Sequence, residues 1–350
     1  MGRVLSAPRV PTAEKENWHS MISAHLSRGS VGVSRVLSRV VLAAALAAAP
    51  AREARGDSPA LKLRLPRLDS PRVETYPVPA LPDEPVKRAV FERINRDRAA
   101  AGLPGVEWDE AASKVADDFC ARQVAEKSRG HFLTNGVPPY ARMGFDGVFG
   151  MQSENSVSWI TTAAKFTEPF VRLALDGHED MLREKPPSDG HRRTILDPEA
   201  THVGVGWAAE NGRFQMAQEF LVRGLARLSL SASRSRRAGV LFQGRPLGTS
   251  TVSFVTIARE PPPKTLSRAE ASERTSYAYP EATLSFTPEG YRLMHVIGTT
   301  SEDRLRIRPD HSFSFEFVPS APGLYTFLFY TSGKSGGRPK PRAAASLWFE

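Results

Sequence analysis

Apolar positions along this chain follow two rhythms, helical spacing in the first half and alternation in the second. Val86, Ala89, Val90 and Ile94 fall on one helical face, and Pro82-Asp83-Glu84-Pro85 ahead of them supplies an N-cap candidate and acidic first-turn residues. Gly102 and Pro104 stop that helix. Asp109 caps a second helix whose apolar face is Ala112, Val115, Ala116 and Phe119, and Gly130 presents His131 at the turn beyond it. A third helix is predicted from near Thr167, with Phe170, Leu173, Ala174, Gly177 and Met181 on one face. Glu184 then sits just past its end, before Pro186-Pro187.

Strand rhythm takes over at Val203, Val205 and Trp207. It resumes at Phe214, Met216, Gln218 and Phe220 after Asn211-Gly212, the strongest short hairpin signal. Helices followed by hairpin-joined strands predict an antiparallel sheet packed by helices, an α+β fold. From Gly224 onward only strands are predicted: Thr251 to Ala258, Ala282 to Phe286, Arg292 to Ile297, Arg304 to Ile307, Ser312 to Val318, Tyr325 to Tyr330 and Ala345 to Phe349. Pro322-Gly-Leu-Tyr325, entering an alternating aromatic strand, is similar to the tyrosine corner of immunoglobulin-like sandwiches. Residues 224–350 are therefore expected to form an all-β, sandwich-like domain without the antibody cysteine pair.

Length and composition change this picture in three places. The 350 residues, 41% of them hydrophobic, suffice for two domains with real cores. The net charge of +9 suggests nucleic acid, but many of the arginines lie scattered in the first seventy residues rather than in a stripe, so no nucleic-acid partner is expected. Val40 to Ala49 is an apolar run preceded by Arg28, Arg35 and Arg39 and followed by Ala49-Pro50-Ala51. It reads as a secretory signal peptide over residues 1–51, in which a start at Met21 would give the basic segment its ordinary length and one at Met1 a long one, and it is too short to remain as a membrane span. Residues 52–82, dense in proline and arginine, read as an extended linker. The lone Cys120 cannot form an intramolecular bridge and reads as a small buried apolar residue.

Candidate chemistry rests on four local phrases: Gly130-His131-Phe132, Ser153-Glu154-Asn155, Met181-Leu-Arg-Glu184, and Gly190-His191 running on to Thr201-His-Val-Gly-Val-Gly206. In that order, and with the opening helix Phe91-Glu-Arg-Ile-Asn-Arg and Val106-Glu-Trp-Asp, residues 83–223 resemble the superfamily of cysteine-rich secretory proteins, antigen 5 and plant pathogenesis-related proteins, the CAP superfamily. The eukaryotic disulfides are absent and Met181 stands where a tryptophan is frequent, which fits a bacterial branch.

The resemblance implies a three-layer α-β-α sandwich for 83–223 and a central tetrad of His131, Glu154, Glu184 and His191. Imidazoles and carboxylates suit zinc or another divalent cation, and equally a metal-free hydrogen-bonded cluster. The family's tetrad is connected with metal binding, but no common reaction follows from it. Two functions stay open: an exported, extracellular or periplasmic module whose cleft takes a small molecule, lipid or peptide, with residues 224–350 contacting an envelope or extracellular surface, or a metal-dependent hydrolase with Glu154 or Glu184 as general base. The Gly-x-Ser-x-Gly string Gly333-Lys-Ser-Gly-Gly337 leads into no helical pattern, so no nucleophile elbow is expected. His178 and Glu179 read as solvated, His202 as a strand-end residue, and Asn155 as a structural residue at a turn.

Overall fold

The computed structural model describes residues 63–64 and 81–350, apart from 164, 233–238, 292–298, 302–303 and 334–336. In chain order the elements are β1 (Leu63–Arg64), α1 (Pro85–Ala100), β2 (Glu107–Trp108), α2 (Glu110–Glu126), α3 (Pro139–Phe145), β3 (Met151–Ile160), α4 (Phe170–Leu182), α5 (Gly190–Ile195), β4 (His202–Glu210) and β5 (Arg213–Val222). The second half adds β6 (Leu225–Ala232), β7 (Val240–Pro246), β8 (Thr251–Glu260), α6 (Arg268–Glu273), β9 (Leu284–Phe286), β10 (Thr299–Ser301), β11 (Arg306–Ile307), β12 (Phe313–Phe317), β13 (Gly323–Ser332) and β14 (Lys340–Phe349).

Side-chain caps start α1 and α2, but the expected acidic first-turn residues of α1 are absent, because Glu84 is itself the cap and Asp83 lies before it. Glu84 accepts from the N–H groups of Val86 and Lys87 at the start of α1, and Asp109 accepts from Ala112 N–H at the start of α2. The third helix begins at Phe170 rather than near Thr167, behind Pro169, which sits extended as the N-cap and disfavours helical backbone at Glu168 before it. β4 and β5 meet through Asn211 and Gly212, both at positive φ (48° and 70°), the conformation an Asn-Gly hairpin needs.

A four-stranded sheet in the order β2-β4-β5-β3 carries helices on both faces. On one face Val90, Phe91 and Ile94 of α1 and Ala174 and Met181 of α4 pack with Val203, Val205, Phe214 and Met216. On the other, Ala112, Val115, Ala116, Phe119 and Cys120 of α2 pack with Ala217 and Leu221. That second face requires Gly204 and Gly206 in β4: a Cβ at either would lie 2.2–2.3 Å from the α2 backbone, inside any tolerable contact. Cys120 is the buried residue its sequence context suggests.

Two further sheets, β1-β14-β13-β8-β9-β10 and β11-β12-β7-β6, share one aromatic core. Phe242 of β7 lies 4.5 Å from both Phe315 of β12 and Phe327 of β13, centroid to centroid. The Tyr325 hydroxyl donates to Ala321 O at 2.8 Å and accepts from Ala321 N–H, closing the corner expected at that residue. Strands β2, β3, β6, β7 and β10 and the short helices α3, α5 and α6 are additions to the sequence reading. Two residues assigned to the linker, Leu63 and Arg64, pair instead with β14. The expected leader, the rest of the linker and the Arg292 to Ile297 strand lie outside the described residues.

The two halves meet extensively. Phe149 belongs to the aromatic core, Gly150 N–H donates to Ala344 O, Gly224 N–H donates to Arg342 O, and Tyr140 packs with Leu324 and Trp348. Among the described residues no helix is long and apolar enough to cross a membrane.

Candidate functional site

Each tetrad member is placed by a different element. His131 follows Gly130, whose φ of 83° turns the chain after α2. Glu154 sits mid-strand in β3, Glu184 follows α4, and His191 lies in the first turn of α5. The structure brings all four together as two pairs. His131 Nδ1 bonds Glu154 Oε1 at 2.7 Å, and His191 Nδ1 bonds Glu184 Oε1 at 2.6 Å. Glu184 also accepts from His191 N–H at 2.9 Å. The imidazole centroids stand 6.5 Å apart.

An ionised carboxylate can only accept, so each Nδ1 carries the hydrogen and Nε2 is the nitrogen left to ligate when the ring is neutral. Among the described residues neither Nε2 has a hydrogen-bond partner. Nor do any three His, Cys, Asp or Glu side chains there converge as a metal cage. The glutamates orient the imidazoles; they do not stand around a common point with them. Burial, and then the Arg142 guanidinium, pull His131 down to about 4, so its ring is neutral at physiological pH.

Beneath His131 lies a charged network absent from the sequence reading. Arg142 of α3 bonds Glu154 Oε2, donates to His131 O at 2.8 Å, and stacks 3.9 Å from the Phe119 ring centroid. Glu219 of β5 is the register partner of Glu154, and its other neighbour Gln152 donates to it at 2.6 Å. Burial raises both carboxyls, Glu219 far more because Glu154 has the guanidinium directly against it. Glu219 therefore keeps its proton and shares it with the Glu154 carboxylate.

Two expectations need correction. Asn155 lies within β3, not at a turn, and its Nδ2 donates to His191 O at 3.2 Å, which ties the strand bearing Glu154 to the helix bearing His191. His178 is fully buried rather than solvated, with Nε2 bonded to Asp97 at 2.9 Å and Nδ1 to Gln218 at 3.0 Å. A single helical face predicts its burial poorly, because α4 packs against both α1 and the sheet, and His178 bonds one residue of each. His202 does open β4, as expected.

Residues 91–222 match the sequence profile of the cysteine-rich secretory protein family, CAP. This stretch belongs to the CAP family. Over 135 residues the chain is 27% identical to the uncharacterized protein YkwD of Bacillus subtilis, covering 39% of this chain and 46% of that one. The chain thus spans about half the length of this curated relative. Among solved structures, an extracellular protein containing an SCP domain from Bacillus anthracis aligns with 22% identity and a TM-score of 0.31, over 39% of this chain and 40% of that one. An outer surface protein of Borrelia burgdorferi aligns with 17% identity and a TM-score of 0.31, over 38% of this chain and 88% of its own.

Within the CAP domain, the residues the sequence reading missed are Arg142, Gln152 and Glu219. Glu219 left no clear signal, because it falls between the beats of the alternation Phe214, Met216, Gln218 and Phe220, where a carboxylate reads as solvent-facing. Arg142 left none, since α3 is too short to show a periodicity.

Proposed function

We propose that this chain is an exported, extracellular CAP-domain protein that binds a ligand in the tetrad cleft, with His131 and His191 able to hold a divalent cation such as zinc. The observation that carries this reading is the pair of imidazoles whose Nδ1 atoms are each fixed by a carboxylate while both Nε2 atoms are left over. That is the usual arrangement of histidine ligands and their outer partners. Zinc held there would supply a Lewis-acid contact for an oxygen of a small molecule, lipid or peptide. The leader-like run at Val40 to Ala49 and the secretory family of residues 91–222 support export. The two-sheet region is proposed as a β-sandwich module for contact with an envelope or extracellular surface.

Metal-dependent hydrolysis with Glu154 or Glu184 as general base has less support, because both carboxylates are turned to imidazole Nδ1 and Glu154 also to Arg142. Zinc calorimetry on the full chain at neutral pH is expected to show uptake that is abolished by His131→Ala and by His191→Ala. The exposed turn histidine variant His311→Ala should leave it unchanged. Equal uptake by all four proteins, or none by the wild type, would remove the metal reading. Pull-down from lipid extracts and turnover of peptide and ester libraries then separate binding from hydrolysis.

A further inference from the structure

Among the described residues β3 is an edge strand: it pairs with β5 on one side and with no described strand on the other. The N–H groups of Gln152 and Glu154, two residues apart, point from that open side. Both are taken by tyrosine hydroxyls from the second half of the chain, also two residues apart. Tyr279 accepts from Gln152 N–H at 2.7 Å and Tyr277 from Glu154 N–H at 2.6 Å. The Tyr277 hydroxyl also donates to Gln152 Oε1 at 3.1 Å, and its ring meets His131 edge-on with centroids 5.1 Å apart.

The segment that delivers these tyrosines is anchored along its length. Leu266 N–H donates to Thr134 O at 2.7 Å, and Leu266 and Ala271 pack on Phe132. The Arg274 guanidinium covers the Phe132 ring at 5.2 Å, and Tyr279 stacks on Tyr140 at 4.9 Å. Lys264 O approaches so closely that a Cβ on Gly136 would lie 2.2 Å from it.

We propose that residues 261–283 build one wall of the tetrad cleft, with Tyr277 as a positioning residue for Glu154 and His131. The wall fixes the β3 backbone at Glu154, Glu154 fixes the His131 ring, and the Tyr277 ring closes that side of the imidazole to solvent. Ligand reaches the site from the His191 side, whose side chain is 33% exposed against 9% for His131. The cleft is therefore composite, completed by a segment outside the CAP match.

This inference deepens the ligand-binding reading and rests on it for the metal readout. The test uses the full-length chain and two measurements: zinc uptake by calorimetry, and acylation of His131 relative to His191 by diethyl pyrocarbonate, read by peptide mass spectrometry. Tyr277→Ala is expected to weaken zinc uptake roughly tenfold or more, the range for outer partners of a ligating histidine, and to speed His131 acylation. Tyr277→Phe keeps the ring but removes the acceptor for Glu154 N–H, and should weaken uptake about threefold with a smaller rise in acylation. Tyr325→Phe, which loses a tyrosine hydroxyl contact in the two-sheet region, should move neither. Should the wild type take up no zinc, the metal reading fails and acylation alone decides the wall. Should Tyr277→Ala not fold, Tyr277→Phe carries both measurements. Unchanged uptake and unchanged acylation in the Tyr277 variants overturn the proposal.

Discussion

Removing the Arg142 side chain would leave the buried Glu154 carboxylate without its cation, and breaking one partner of a buried pair costs about 3–5 kcal/mol. Arg142→Ala should lower stability by that order in urea titrations. Glu219→Gln should stay within about 1 kcal/mol of wild type, because a protonated carboxyl and an amide are near isosteres with a donor to offer Glu154. His178 allows a pH test. Burial holds its pKa below the ordinary value despite Asp97, so the folded state keeps it neutral while the unfolded chain takes up a proton below about 6.5. Its contribution is complete above that pH and is lost as pH falls through it. Glu219, shifted upward, has the opposite sign, so the comparison must be internal: His178→Gln should lose less stability than wild type between pH 7 and pH 5.

At the scale of elements, β4 must lie directly against α2, and the two glycines that permit it sit within the Val203-Gly-Val-Gly-Trp207 alternation. Gly206→Ala would drive a methyl to 2.2 Å from Asp117 N, and overpacking of this kind costs on the order of 1–3 kcal/mol. A fall in the urea midpoint with an unchanged slope would identify it as a packing effect. α4 shows where helical periodicity misleads. Phe170, assigned to its buried face, is 38% exposed and lies tilted against Trp207 with centroids 5.0 Å apart, while His178 takes an interior place.

For the whole molecule, the contacts across the two halves bear on whether residues 83–223 can stand alone. Their capping, helix faces and hairpin form a self-consistent unit in sequence. In the structure, however, Phe149 sits in the aromatic core of the other half, Gly144 lies against Ser346, and β3 depends on Tyr277 and Tyr279 for its open edge. The isolated fragment is expected to melt on the order of 10 °C below the full chain, or to aggregate through Phe149 and Tyr140. A fragment as stable as the full chain would show these contacts to be dispensable.

The sequence by itself determined the features that depend on local chemistry. Asp109 starts a helix because its side chain reaches a free N–H group of the same turn, and Asn211-Gly212 makes a hairpin because both residues tolerate positive φ; His131, Glu154, Glu184 and His191 were singled out only through the resemblance of their four phrases to the CAP family. Tertiary structure decided everything that joins distant segments: that each glutamate serves one imidazole, that Arg142 and Glu219 lie beneath them, that His178 is interior, and that Tyr277 closes the cleft from more than a hundred residues away. Those pairings have no local signature. They are set by which faces of the sheet are covered and which strand edge is left open, and both are properties of the packed chain.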